Sequence, residues 1–303
     1  MNSPATVASL HHIACATDLS DPAGVAADRA AQLAAQHTAR LTLLHVISSG
    51  WVDELRAWLA DSAQWQDKMT VETKGRLEAE AARLNGASGA QASAVLLEGH
   101  PVTTLAETVL AQHIDLLTIG ARGSSPLHHL LVGTTAERLL RKVACPLLVV
   151  RRPSPQPYRR VLIPLDFSPW SERAVGLARL LAPDAMLVLM HSFSIPFEEK
   201  LRFAGVDDAT LVHYREKVRN EARQQMQDFV LIHDLPENGY ELCLTEGDAP
   251  QHILTQARER GCDLIVIGKH GRHAAEELLL GSVTKHVVSE AECDVLVSTA
   301  RGA

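Results

Sequence analysis

The chain repeats itself, and the repeat limits its fold more than any other feature. Shifted by 148 positions, Asp18 falls on Asp166, Ser20 on Ser168, Gly99 on Gly247, Gly120 on Gly268, Gly123 on Gly271, Gly133 on Gly281 and Cys145 on Cys293. Whatever architecture serves one half must therefore serve twice. Between the copies lies "RRPSPQPY", residues 151–158, whose three prolines and lack of apolar periodicity mark a linker. The expected division is 1–150, a linker 151–158, and 159–303, each half close to the size of an ordinary domain.

Within each half, short apolar runs alternate with helical patterns. In the second half "RVLIPLD" (160–166), "MLVLMHS" (186–192), "YELCLT" (240–245), "DLIVIG" (263–268) and "DVLVST" (294–299) read as strands, and "HHIACATD", "LTLLHVI", "ASAVLLE", "DLLTIG" and "PLLVV" are their first-half counterparts. Continuous apolar runs suit strands buried on both faces, and intervening segments such as "SERAVGLARLLA" suit right-handed βαβ crossovers. The predicted fold class is α/β: two tandem doubly wound domains, each a five-stranded parallel sheet of order 3-2-1-4-5 with helices on both faces. In that order the sheet reverses between strands 1 and 4, where ligands bind outside the carboxyl ends. Asp166 ends strand 1 in this reading and Gly268 ends strand 4, so both point to one crevice.

The crevice motif is "IGKHGRHAAEELLLGSVTKHVV" at 267–288, and its copy is "IGARGSSPLHHLLVGTTAERLL" at 119–140. Gly268 and Gly271, without Cβ, can take positive φ and let a ligand approach the backbone. A helix starting after Gly281 aims unpaired N–H groups and its positive dipole end at the crevice, with hydroxyls of Ser282 and Thr284 as further donors. Three or four charge-assisted hydrogen bonds at about 1.5–3 kcal/mol each match the roughly 8 kcal/mol of micromolar binding, before ordering costs. No Walker A sequence and no strand-1 G-x-G-x-x-G turn is present. The competing interpretation is that the glycines are helix caps and tight turns.

This pattern resembles the universal stress protein family in its tandem form, over nearly the whole chain. The resemblance rests on G-x-x-G-(nine residues)-G-[ST], met by Gly268, Gly271, Gly281, Ser282 and by Gly120, Gly123, Gly133, Thr134. It also rests on the strand-1 endings "PLDFS" and "ATDLS", the strand-2 "LMHS" and "LLHV", and the closing "AECDVLV" and "VACPLLVV". In the ATP-binding branch the glycine motif contacts ribose and phosphates, the strand-1 aspartate lies by the nucleoside, and backbone after the strand-2 histidine holds adenine. The resemblance implies an ATP site at Pro164, Asp166, Ser192, Gly268, His270, Gly271, Gly281, Ser282, Val283 and Thr284. It implies a second at Asp18, Val46, Gly120, Gly123, Gly133, Thr134 and Thr135. Departures are Ser192 where the family usually has an aliphatic residue, and, in the first half, Ala16 for proline, Arg122 for histidine and Ala136 for the last hydroxyl. The second site is therefore expected to bind more tightly.

The rest of the sequence narrows the setting. A net charge of -7 argues against nucleic acid as the main partner. Five scattered cysteines without a C-x-x-C pair suit a reduced protein in which they pack as small apolar groups. The start "MNSPATVASLHHIACATD" lacks the pattern of a signal peptide, and no run approaches about 18 apolar residues, so a cytoplasmic location and no membrane association are expected. Neither His128 and His129 nor His270 and His273 have metal-ligand framing. His45 and His191 are read as structural, and Trp51, Leu55, Trp58, Leu59 and Trp65 as one apolar helical face. Asp18 and Asp166 have a second reading as acceptors for N–H groups at a helix start, and Ser168 before Pro169 reads as an N-cap.

The function implied is an ATP-binding stress-response regulatory protein, with Mg2+ accompanying the nucleotide and an unidentified protein partner. A slow ATPase or nucleotidyl-transferring enzyme is the first alternative, with Lys269, His270 and Arg272 as charge neutralisers rather than bases. A nucleotide-free scaffold is the second. In it the halves pair through the strands near 146–150 and 294–299, and a homodimer is compatible with the same surfaces.

Overall fold

The computed structural model describes residues 9–48, 62–121, 134–271 and 280–299. Gly123, Gly133, Arg122, Arg272, the paired histidines at 128 and 129, His273 and the face from Trp51 to Leu59 lie outside the described residues. Trp65 falls within a helix, its side chain outside the description.

The first half runs β1 (His12–Ala16), α1 (Asp21–His37), β2 (Arg40–Ser48), α2 (Ser62–Ser88), β3 (Gln91–Gly99), α3 (Pro101–Ala111), β4 (Leu116–Gly120), α4 (Thr134–Lys142) and β5 (Leu147–Val150). The second runs β6 (Arg160–Pro164), α5 (Pro169–Leu181), β7 (Met186–Phe193), α6 (Glu198–Phe203), α7 (Asp208–Ile232), a 3-10 turn (Glu237–Gly239), β8 (Tyr240–Glu246), α8 (Ala249–Glu259), β9 (Leu264–Gly268), α9 (Ser282–Glu290) and β10 (Asp294–Ser298). Helix starts follow the local chemistry. Proline stands at the first turn of α1, α3, α5 and α8, where its missing N–H costs nothing. Asp207 accepts the Thr210 N–H at 3.0 Å to start α7.

One ten-stranded sheet spans the chain, in the order β3-β2-β1-β4-β5-β10-β9-β6-β7-β8. Each half thus has the expected 3-2-1-4-5 order and is parallel throughout. The halves join where β5 and β10 pair antiparallel, Leu147 with Val297, Leu148 with Leu296 and Val149 with Val295. Under the repeat, Leu147 corresponds to Val295 and Val149 to Val297, so a pseudo-two-fold axis passes through the Leu148–Leu296 pair.

Successive strand residues feed opposite faces, as a fully covered sheet requires. Ile13 and Cys15 enter one apolar cluster with α1, α2, α5 and α7, and Ala14 enters the other with α3, α4, α8 and α9. Both clusters run through both halves. A repeated carboxylate anchors the sheet edge-on: Asp115 accepts the His11 and His12 N–H groups, and Asp263 accepts those of Arg159 and Arg160.

One expectation changes. Strands β1 and β6 stop at Ala16 and Pro164, so Asp18 and Asp166 stand in the turns beyond. The proline-rich linker packs against both halves. Tyr158 is buried, its hydroxyl donating to Asp294 at 2.7 Å, and Arg29 of α1 donates to the Gln156 carbonyl at 2.8 Å.

Candidate functional site

The site begins where β6 ends. Leu165 N–H still donates to Met190 on β7 (2.7 Å), after which Phe167 takes a left-handed φ of 59° and turns the chain into α5. Its repeat partner Leu19 sits at 61°, so both halves hold a side chain where glycine is favoured. The turn lets Asp166 Oδ1 accept both the N–H and the hydroxyl of Ser168, at 3.0 and 2.6 Å. Ser168 occupies the N-cap of α5, but its hydroxyl serves Asp166 instead of capping the helix. Asp18 and Ser20 make the same pair of contacts. These aspartates thus accept the N–H of the N-cap residue through Oδ1, a turn ahead of each helix and not a bond to the helix's own first N–H groups. The Phe167 ring packs 4.6 Å from His191, whose Nδ1 donates to the Leu165 carbonyl at 2.7 Å. His45 repeats this bond, to Thr17 at 2.8 Å.

The opposite wall comes from the end of β9 and the start of α9. Gly281 N–H donates to the Lys269 carbonyl (3.0 Å), and Lys269 N–H donates to Ser298 on β10 (2.9 Å). Thr284 donates its hydroxyl hydrogen to the Gly268 carbonyl at 2.7 Å, tying the helix start to the strand end. Gly281 caps α9, and Lys285 makes the first helical bond back to it at 2.8 Å. The N–H groups of Ser282, Val283 and Thr284 precede that bond and have no acceptor within the helix.

The glycines are bare for a different reason than positive φ, which none of Gly268, Gly271 and Gly281 adopts. A Cβ on Gly268 would lie 2.7 Å from Trp170 Cβ and 3.0 Å from the His270 carbonyl, so strand and helix are simply too close. A Cβ on Gly271 would lie 2.9 Å from Asp166 Oδ2. The glycine turn thus brings the motif against the strand-1 aspartate.

Between these walls is a cleft of about 490 Å3. It gathers Pro164 and Asp166 after β6, Ser192 on β7, Gly268, His270 and Gly271 after β9, and Gly281, Ser282, Val283 and Thr284 at α9. Ser192 spends its hydroxyl on Thr245 at 2.8 Å. His270 is buried, its ring edge-on to Trp170 at 5.1 Å. Sequence reasoning did not reach the apolar floor, made by Met190, Ile267 and, from the first two turns of α8, Ala249 and Ile253. The duplicated Gly99 and Gly247 were the available signal. Both take positive φ, 139° and 118°, to turn the chain out of β3 and β8 into the helix that supplies this wall.

Lys269 departs from the expectation of a charge facing the phosphate end. Its ammonium donates to the Arg141 carbonyl in the last turn of α4, at 3.0 Å, on the other half of the chain.

In the first half Asp18, Val46 and Gly120 stand at the carboxyl ends of their strands, Asp18 exposed and the other two half-buried. Thr134 begins α4 with its side chain outside the description, and Thr135 is exposed. Gly123 and Gly133, which would close that site, lie outside the described residues. Ala136 is buried where the second half has Thr284, so α4 lacks the hydroxyl tie to its strand. Among the described residues no three metal-ligating side chains converge, and no helix is long and apolar enough to cross a membrane. Burial pushes the thiols of Cys15 and Cys293 up to about 12 and Cys262 up to about 11, which makes them poor nucleophiles.

Comparison with known proteins agrees along the whole repeat. The chain matches the Universal stress protein family twice, over residues 9–151 and 157–299. Universal stress protein Rv2005c of Mycobacterium tuberculosis is 27% identical over 308 residues, covering 95% of this chain and 97% of the relative. Universal stress protein A homolog 2 of Coxiella burnetii is 33% identical over 150 residues, 48% of this chain and 97% of its own. The crystal structure of a universal stress protein from Archaeoglobus fulgidus has the same fold, with a TM-score of 0.71 at 20% identity, covering 96% of this chain and 98% of the other.

Proposed function

The chain belongs to the universal stress protein family, and from that premise we propose that it is a cytoplasmic, ATP-binding regulatory protein of the stress response, with the second-half cleft the better formed of two nucleotide sites. The observation that carries this reading is the meeting of the α9 N-terminus with Asp166 across Gly271, inside a cleft with an apolar floor. Each part suits a different part of the nucleotide. The N–H groups of Ser282, Val283 and Thr284 and the Ser282 hydroxyl are donors for phosphate oxygens. The Asp166 carboxylate is an acceptor for ribose hydroxyls, and Met190, Ile253 and Ile267 offer apolar area for a base beside the Ser192 backbone. Mg2+ would arrive with the phosphates.

Binding rather than turnover fits the polar inventory. With the Lys269 ammonium committed to α4, the cleft has no lysine at its phosphate end among the described residues, and His270 is packed against Trp170. Hydrolysis slower than about 1 per second is expected, below ordinary enzyme turnover. Nucleotide occupancy would then act by setting partner choice at the protein surface. The absence of the Thr284-type tie at Ala136, and of a proline at Ala16, supports unequal sites.

Mass spectrometry of small molecules released from the purified, denatured protein tests the ligand class directly. Adenine nucleotide at one or two equivalents is expected. Calorimetry then assigns the sites: Gly281→Val with Ser282→Ala should weaken ATP binding at the second half by over tenfold with the fold intact, whereas Gly133→Val should remove only the weaker site. Absence of both co-purified nucleotide and measurable ATP affinity in the unaltered chain would sink the proposal.

A further inference from the structure

The seam between the halves is built from residues whose repeat partners cannot replace them. A pseudo-two-fold contact is reciprocal: where one position meets a second across the seam, their repeat partners meet as well, and only positions close to the axis meet their own counterpart. Here Glu137 on α4 meets its counterpart Lys285 on α9 at 3.2 Å, opposite charges at one duplicated position. Glu137 also accepts from Arg141 at 2.9 Å, and these two cations hold its carboxyl below the usual carboxylate range.

The buried contacts are more one-sided. Arg29 and Asp294 are both buried, with Arg29 Nε 3.6 Å from Asp294 Oδ2 and the guanidinium over the Tyr158 ring at 4.3 Å. Asp294 further accepts the Arg151 N–H at 2.8 Å and the Tyr158 hydroxyl at 2.7 Å. The repeat partner of Arg29 is Leu177, and that of Asp294 is Pro146. The Arg151 guanidinium donates to the Val288 and Ser289 carbonyls at the end of α9, while Lys269 donates to Arg141 at the end of α4. Their counterparts are Thr299 and Ala121.

We propose that the seam is a charge-coded interface that accepts one half of each kind and rejects like halves, with the Arg29–Asp294 pair as main selector and Glu137–Lys285 as a second one. Two first halves would bury Arg29 opposite Pro146 and set Glu137 against Glu137. Two second halves would bury Asp294 opposite Leu177 and set Lys285 against Lys285. Removing one partner of a buried ion pair leaves an uncompensated charge, whose cost far exceeds what the intact pair contributes. Specificity of this kind comes from penalties on the wrong partner as much as from attraction to the right one.

The test uses the full chain with a protease site inserted between Pro153 and Ser154, cut after folding, then unfolded in urea and refolded at micromolar concentration. Native mass spectrometry counts the assemblies. Random pairing gives about half mixed pairs, whereas the charge code should give mixed pairs about nine times in ten or more. A mixed fraction near one half, or failure to reassemble, overturns the proposal. Arg29→Leu in the cut chain should move the mixed fraction toward one half. If that variant does not fold, Glu137→Lys should move it in the same direction, and adding Lys285→Glu should restore it. No shift in any of these variants would equally overturn it.

Discussion

Gly268→Ala should destabilise the protein without any change in its ligands. The new Cβ would stand 2.7 Å from Trp170 Cβ, 3.0 Å from the His270 carbonyl and 3.4 Å from the Trp170 carbonyl carbon. Carbon atoms in good contact are about 3.5–4.0 Å apart, so α5 and β9 must separate by close to 1 Å. None of the obstacles is the free end of a side chain. Overpacking of this kind costs up to about 3 kcal/mol, and the loss of chain freedom in the unfolded state returns about 0.4–1 kcal/mol. The net loss of about 2 kcal/mol corresponds to a fall in Tm of about 4–8 °C for a protein of this size class. Differential scanning calorimetry would read it, with Gly24→Ala as the control. Nothing lies within 4 Å of a Cβ at Gly24, in the interior of α1, and that variant should gain about 0.5–1 kcal/mol. An unchanged Tm for Gly268→Ala together with a loss of ATP affinity would refute the packing argument and return the glycine to a purely ligand-facing role.

Thr284→Val keeps the shape of the side chain but removes the donor to the Gly268 carbonyl, and urea unfolding should show a loss of about 1–3 kcal/mol for the buried acceptor left behind; an unchanged midpoint would mean the tie contributes nothing. Stability should also depend on pH through His12, His37 and His233, whose burial lowers their pKa below the ordinary 6.5. The unfolded chain takes up these protons first, so their contribution is complete above pH 6.5 and is lost as pH falls through the lowered values. Tm should decline as pH falls below 6.5, and less steeply in His37→Gln, whereas a flat profile would contradict the assignment.

Much of this was legible because the repeat and the apolar runs are properties of the chain itself. The apolar runs require a sheet covered on both faces, the common order of such a sheet brings Asp166 and Gly281 to one crevice, and a repeated domain on a short linker can join its halves as a homodimer does. What escaped depended on distant neighbours. Gly268 is glycine because of Trp170, nearly a hundred positions earlier, and spacing within the motif carries no trace of that contact. Lys269 lies between two site residues yet points into the other half, since alternation along a strand end sends neighbouring side chains to opposite sides. The clamp on residues 151–158 likewise depends on Arg29, whose repeat partner is an ordinary leucine, so the duplication itself gave no reason to single it out.

The antiparallel joining of β5 to β10 also bears on how the chain is made. Strand β5, Leu147–Val150, is buried in the finished protein, but the strand that covers its edge is synthesised 148 residues later. At about 5–20 residues per second a ribosome needs roughly 7–30 s to cover that distance. For that interval a folded first half carries a four-residue apolar edge with unpaired N–H and C=O groups, the kind of surface that recruits other strands. Arg151 and Arg152, which follow it directly, place two positive charges at the end of that edge before the Val288 and Ser289 carbonyls that accept from Arg151 and the Glu292 carboxylate that pairs with Arg152 exist.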